Sequence, residues 1–96
     1  MHVLVSYDVS TLTPKGRNRL RRVARICQNF GQRVQFSVFE CSVGPTELAR
    51  LRQELLVAID EAEDSLRLYF LGEDPGRRAE HYGQKPSVDF GDALIV

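Results

Sequence analysis

Residues 33–43 read RVQFSVFECSV, dense in valine and phenylalanine, residue types that fit a pleated, half-buried surface. The run is long enough for one extended strand or for two short ones joined by a tight turn, and that choice decides the fold. On its N-terminal side, residues 2–8 (HVLVSYD) place Val3, Val5 and Tyr7 on one face of a strand and Leu4, Ser6 and Asp8 on the other. Ser10, Thr11 and Thr13 then offer capping oxygens, and Pro14 suits a first helical position. Leu20, Val23, Ala24, Cys27 and Phe30 recur at helical spacing until Gly31, the expected helix stop.

On its C-terminal side, Gly44-Pro45-Thr46-Glu47 opens a second helix with the apolar stripe Leu48, Leu51, Leu55 and Ile59, and acids at 60, 61, 63 and 64 end it. Residues 65–71 (SLRLYFL) alternate as a strand, and 72–86 carry the turn-forming runs GEDPG and YGQKP. Val88 and Phe90 lie in a further extended piece, and ALIV at 93–96 reads as a short last strand. Counting two strands in 33–43 gives βαββαβ with a tail. That is an α+β, ferredoxin-like antiparallel sheet with two helices on one face and an extra C-terminal strand. The expected organisation is a single domain over 1–96, with 84–96 as a tail that touches a second copy or another partner. The uncovered sheet face calls for a second copy, and an apolar tail strand suits that copy's sheet edge.

A chain of 96 residues, 43% hydrophobic and 27% charged, has room for one small globular core. Its apolar stretches fall short of the roughly 20 residues of a membrane span, and its first residues lack the features of a signal peptide, so the expected compartment is the cytoplasm. There Cys27 and Cys41 would be reduced, buried thiols. The net charge of zero conceals a polarity: residues 1–44 hold seven basic side chains against two acids, a balance of +5, and residues 45–96 hold the compensating −5. A cluster of positive charge on one element can bind polyanions regardless of the overall balance.

Asp8 ends an otherwise apolar strand, where a carboxylate is out of place. One reading is an Asx turn or a helix cap. The other is functional: in a two-fold dimer whose axis passes near the ends of the first strands, two Asp8 carboxylates would face each other and demand a cation. Mg2+ fits, because it keeps most of its waters and takes one or two carboxylates together with phosphate oxygens, and Mn2+ is the alternative. The first helix carries Lys15, Arg17, Arg19, Arg21, Arg22 and Arg25 with no acid among them. A helix face merely exposed to solvent would intersperse glutamates for i,i+4 pairing, so this density points to phosphate binding, for which the planar guanidinium fork is well shaped. His2 and His81 have no acid or cysteine at metal-ligand spacing in the sequence and receive no role. Tyr7, Phe36, Phe39 and Phe90 read as core or interface aromatics, the core being the stronger assignment.

YDVS at 7–10, the helix segment GRNRLRRV at 16–23 and then RVQFSVFEC, in this order and spacing, resemble the signature of the small CRISPR-associated endonuclease family that partners the CRISPR integrase in spacer acquisition. The tail KPSVDFGDALIV is similar to the end of its subtype I-C members. The resemblance implies a homodimer with the C-terminal strand packed on the partner's sheet. It also implies a metal-binding aspartate at Asp8 within a Tyr7-Asp8 pair, basic positions at Arg17 and Arg19, and an arginine and aromatic at Arg33 and Phe39. The implied activity is metal-dependent hydrolysis of RNA or double-stranded DNA. A second implied role bridges integrase subunits as a DNA-binding scaffold, without need of the nuclease chemistry.

Overall fold

The run at 33–43 folds as two strands. β2 (Gly31–Gln35) and β3 (Val38–Ser42) pair antiparallel around a two-residue turn at Phe36 and Ser37, with a register shift between Arg33 and Gln35. The computed structural model describes residues 1–72 and 79–84, which also contain β1 (His2–Asp8), α1 (Pro14–Gln28), α2 (Pro45–Ala58), β4 (Ser65–Leu71) and β5 (Ala79–Gly83). The sheet order is β2-β3-β1-β4-β5, antiparallel throughout. This is the expected ferredoxin-like arrangement, with β5 added outside β4.

β5 differs from the sequence reading, which placed turn structure across 72–86. AEHYG has little strand character of its own, so the pairing of its five residues with β4 holds it. A bidentate ion pair adds to that: Arg52 of α2 donates from Nε and Nη2 to Glu80, both at 2.8 Å, and the Tyr82 hydroxyl donates to the same carboxylate. The extended piece at 88–90, the ALIV strand and the tail compared with subtype I-C lie outside the described residues.

One face of the sheet carries the core. Val3, Val5 and Tyr7 of β1, Phe39 and Cys41 of β3, and Leu66, Leu68 and Phe70 of β4 pack against Val23 and Cys27 of α1 and Leu48, Leu51 and Leu55 of α2. Both thiols are buried, and burial, followed by the neighbouring Cys41, pushes the Cys27 thiol up to about 12. The opposite face, holding Leu4, Ser6, Asp8, Glu40, Arg67, Tyr69 and Leu71 by strand alternation, carries no helix among the described residues.

Gly31 does not stop α1. The helix ends at Gln28 with Asn29 as its C-cap, and Gly31 begins β2, where an added Cβ would fall 2.1 Å from the Glu40 carbonyl oxygen. Among the expected core aromatics Tyr7 and Phe39 are buried, but Phe36 stands at the hairpin turn with 91% of its surface exposed. A two-residue turn leaves no sheet face into which its side chain could fold.

Candidate active site and nucleic-acid interface

Strand alternation explains where Asp8 points. Val3, Val5 and Tyr7 must face the helices, so Asp8 falls on the open face, exposed, at the last position of β1 and opposite Ser65 of β4. It does not cap α1, because Thr13 does: the Thr13 Oγ1 accepts from the Gly16 amide at 3.1 Å. Among the described residues no three His, Cys, Asp or Glu side chains converge on one point. A divalent cation at this end would therefore be held by Asp8 with water and phosphate oxygens. That donor set fits magnesium, which is satisfied by one or two carboxylates, and does not fit an all-protein cage.

Arg33, Tyr7 and Phe39 come together beside the hairpin. The Arg33 guanidinium lies 5.1 Å from the Phe39 ring centroid, and the Tyr7 and Phe39 rings stack at 6.2 Å. Burial and the nearby Cys27 push the Tyr7 phenol up, against the opposing pull of Arg33. The Tyr7 amide donates to the Ser37 carbonyl at 3.1 Å, which ties the end of β1 to the turn. These three groups belong to the helix-side face, so the sheet separates them from the side chain of Asp8.

Helix α1 sorts its six cations into two groups. Lys15, Arg17, Arg21, Arg22 and Arg25 are exposed and span the arc opposite the buried Gly16, Val23 and Cys27. Arg17 donates to the Thr11 carbonyl at 3.3 Å, which steadies the loop before the helix, and Arg21 donates to Asn18 one turn back. Arg19 departs from the expected phosphate-facing set. Its guanidinium grips Asp64 in a bidentate pair, Nε to Oδ2 at 2.8 Å and Nη2 to Oδ1 at 3.3 Å. The physical reason is angular: Arg19 sits on the flank of the buried stripe, where it meets the turn between α2 and β4, and only 15% of its side chain is exposed.

Asp64 is the residue that sequence reasoning missed. It is fully buried, and it also accepts from the Ser10 amide at 3.0 Å and the Asp60 amide at 2.9 Å. Burial alone would push its carboxyl up, but the donors from Arg19, Asp60 and Ser10 outweigh it and hold the carboxyl below its ordinary value. In sequence it is one of four acids ending a helix, and its partner stands 45 positions away, beyond the reach of any local pattern.

The model of the family described as CRISPR associated protein Cas2 matches residues 1–78 of the chain. The chain belongs to the Cas2 family. A Cas2 protein of Chlorobaculum tepidum, named a CRISPR-associated endoribonuclease, is 56% identical over 96 residues and is covered in full, as is this chain. One from Halalkalibacterium halodurans, named a CRISPR-associated endonuclease, is 55% identical over 95 residues, covering 99% of each chain. The crystal structure of Streptococcus pyogenes Cas2 at pH 6.5 superposes with a TM-score of 0.71 at 57% identity, over 77% of this chain and 89% of that one. The Cas2 fold is therefore the frame on which Asp8 and the α1 cations are mounted. No helix among the described residues is long and apolar enough to cross a membrane.

Proposed function

We propose that the protein is a nuclease of CRISPR adaptation that acts as a homodimer, with Asp8 of each copy meeting across the uncovered sheet face to hold one divalent cation, Mg2+ or Mn2+. The observation that carries the reading is the exposed Asp8 carboxylate at the end of an otherwise apolar strand, on the face opposite the two described helices, in a chain of the Cas2 family. When bound, the cation would neutralise charge on the scissile phosphodiester and make an attacking water more acidic. The chain's own part is to orient and bind. Tyr7 and Phe39 fix the strand that bears Asp8. Lys15, Arg17, Arg21, Arg22 and Arg25 supply a basic surface for the phosphates of RNA or duplex DNA, and Arg33 extends it at the hairpin. Residues 84–96 would pack on the partner copy or on the integrase.

The test is cleavage of RNA and duplex DNA by the purified protein, with and without a chelator, beside Asp8→Asn. The expected result is metal-dependent cleavage that rises with pH, since the reading assigns each chain a single reacting carboxylate, Asp8, and no separate general base, and a loss of about a hundredfold or more in the variant. Equal cleavage after chelation, or by Asp8→Asn, would refute the mechanism.

One observation favours a second reading. The outward cations of α1 lie in the layer opposite the Asp8 face, so nucleic acid can be held without that carboxylate. In this reading the protein is a DNA-binding scaffold that bridges integrase subunits, and Asp8→Ala leaves spacer capture intact while neutralising Arg17, Arg21 and Arg22 abolishes it.

A further inference from the structure

Asp64 holds the loop that follows Asp8 and adjoins the residue paired with it. Ser10, two residues after Asp8, gives its amide to Asp64 Oδ1 at 3.0 Å. Ser65, the neighbour of Asp64, lies directly opposite Asp8 across the β1–β4 pair. Arg19 brings in α1, and the Asp60 amide closes the turn from α2. Two glycines allow the surrounding backbone to approach. A Cβ at Gly16 would fall 2.0 Å from the Ser10 carbonyl oxygen, and one at Gly83 would fall 2.0 Å from the Asp64 carbonyl oxygen. The Gln84 amide then donates to that same Asp64 oxygen at 2.9 Å. The buried side chain thus ties the loop after β1 to α1 and to the turn after α2, and the backbone carbonyl of the same residue adds the end of β5.

We infer that Asp64 is a positioning residue for Asp8: through the Ser10 amide it fixes the loop that follows the carboxylate, with Arg19 tying that knot to α1, and Arg19 acts through this pair and not as a phosphate ligand. The inference rests on the reading of Asp8 as the reacting end. A carboxylate at the mouth of a strand is followed by loop, and a loop free to shift by an ångström forfeits about a hundredfold in rate when geometry is the catalyst. A full set of donors to a carboxylate with no exposed surface removes that freedom.

The test compares Asp64→Asn, the charge-neutral double variant Arg19→Gln/Asp64→Asn, and Arg17→Gln with the unchanged protein, in the dimer, at a temperature where circular dichroism shows each folded. Positioning predicts that Asp64→Asn lowers kcat at least tenfold with KM nearly unchanged. It also predicts that the double variant keeps the parent's slope of log Kd against log salt for a short duplex, whereas Arg17→Gln flattens the slope by about 0.9 for one lost phosphate contact. A double variant that flattens the slope as Arg17→Gln does makes Arg19 a phosphate ligand and overturns the inference, as does a folded Asp64→Asn with the parent's kcat. Hydrogen exchange at the Ser10 amide keeps the two readings apart. Should the unchanged protein cleave nothing, the nuclease reading fails. Selective loss of Ser10 protection in Asp64→Asn then upholds the positioning, and unchanged protection defeats it. Where Asp64→Asn does not fold, Arg19→Lys, which keeps the charge, takes its place: a kcat below the parent's with KM nearly unchanged and weakened Ser10 protection support the positioning, and parental values of both overturn it.

Discussion

Two arginine–carboxylate pairs of nearly the same geometry are anchored one on each helix, Arg19 on α1 and Arg52 on α2. Arg19–Asp64 and Arg52–Glu80 are both bidentate, each with a shortest contact of 2.8 Å. Their surroundings differ. The Asp64 side chain is fully buried and also satisfies two backbone amides, whereas the Arg52 and Glu80 side chains are 29% and 30% exposed. Distance alone therefore says little about what a pair contributes. Removing one partner of a buried pair strands the other without water, while an exposed pair is replaced by solvent at little cost.

The largest expected effect is that of Asp64→Ala, which strands a guanidinium and the amides of Ser10 and Asp60 and should cost about 3–5 kcal/mol by urea unfolding. That is a large share of the roughly 5–15 kcal/mol that holds a domain of this kind together. Gly16→Ala tests the same knot by packing instead of charge. Its methyl must displace the Ser10 carbonyl, so it should cost about 1–3 kcal/mol and disturb the same loop. Acid gives a third probe. Because the Asp64 carboxyl is held below its ordinary value in the folded state, its contribution is present above the unfolded value of about 3.9 and is lost as pH falls through the lower folded one. The urea midpoint of the unchanged protein should thus fall more steeply below about pH 4 than that of Asp64→Asn. The smallest effect belongs to Glu80→Ala, under about 1 kcal/mol and shrinking further with added salt. A loss at Glu80 equal to that at Asp64 would erase the distinction between the two pairs.

The same contrast marks where the sequence is legible. The stripe Leu48, Leu51, Leu55 and Ile59 is buried as its spacing requires, and the alternation of β1 places Asp8 on the open face. Periodicity reports which face an element buries, because burial repeats with the turn or the pleat. It carries no signal for Asp64, whose role depends on a partner far away in the chain, nor for the turning of Arg19 out of the basic set. β5 stayed hidden for a related reason. Its five residues are strand because β4 and Arg52 hold them, not because of what they are. Gly31 misled in the opposite direction: a glycine after an apolar stripe reads as a helix stop, but here it yields space to the backbone of β3.

The buried pair Cys27 and Cys41 gives the molecule a built-in reporter. The sequence contains no tryptophan, but both thiols are at 0% exposure and burial suppresses their ionisation. An alkylating reagent therefore labels them only when the sheet and α1 part, since Cys27 lies on the helix and Cys41 on β3. Labelling kinetics follow the population of the opened chain when reclosing is fast. Two mass increments that appear together would mark opening as a single event, and two that appear in sequence would date the departure of the helix from the sheet.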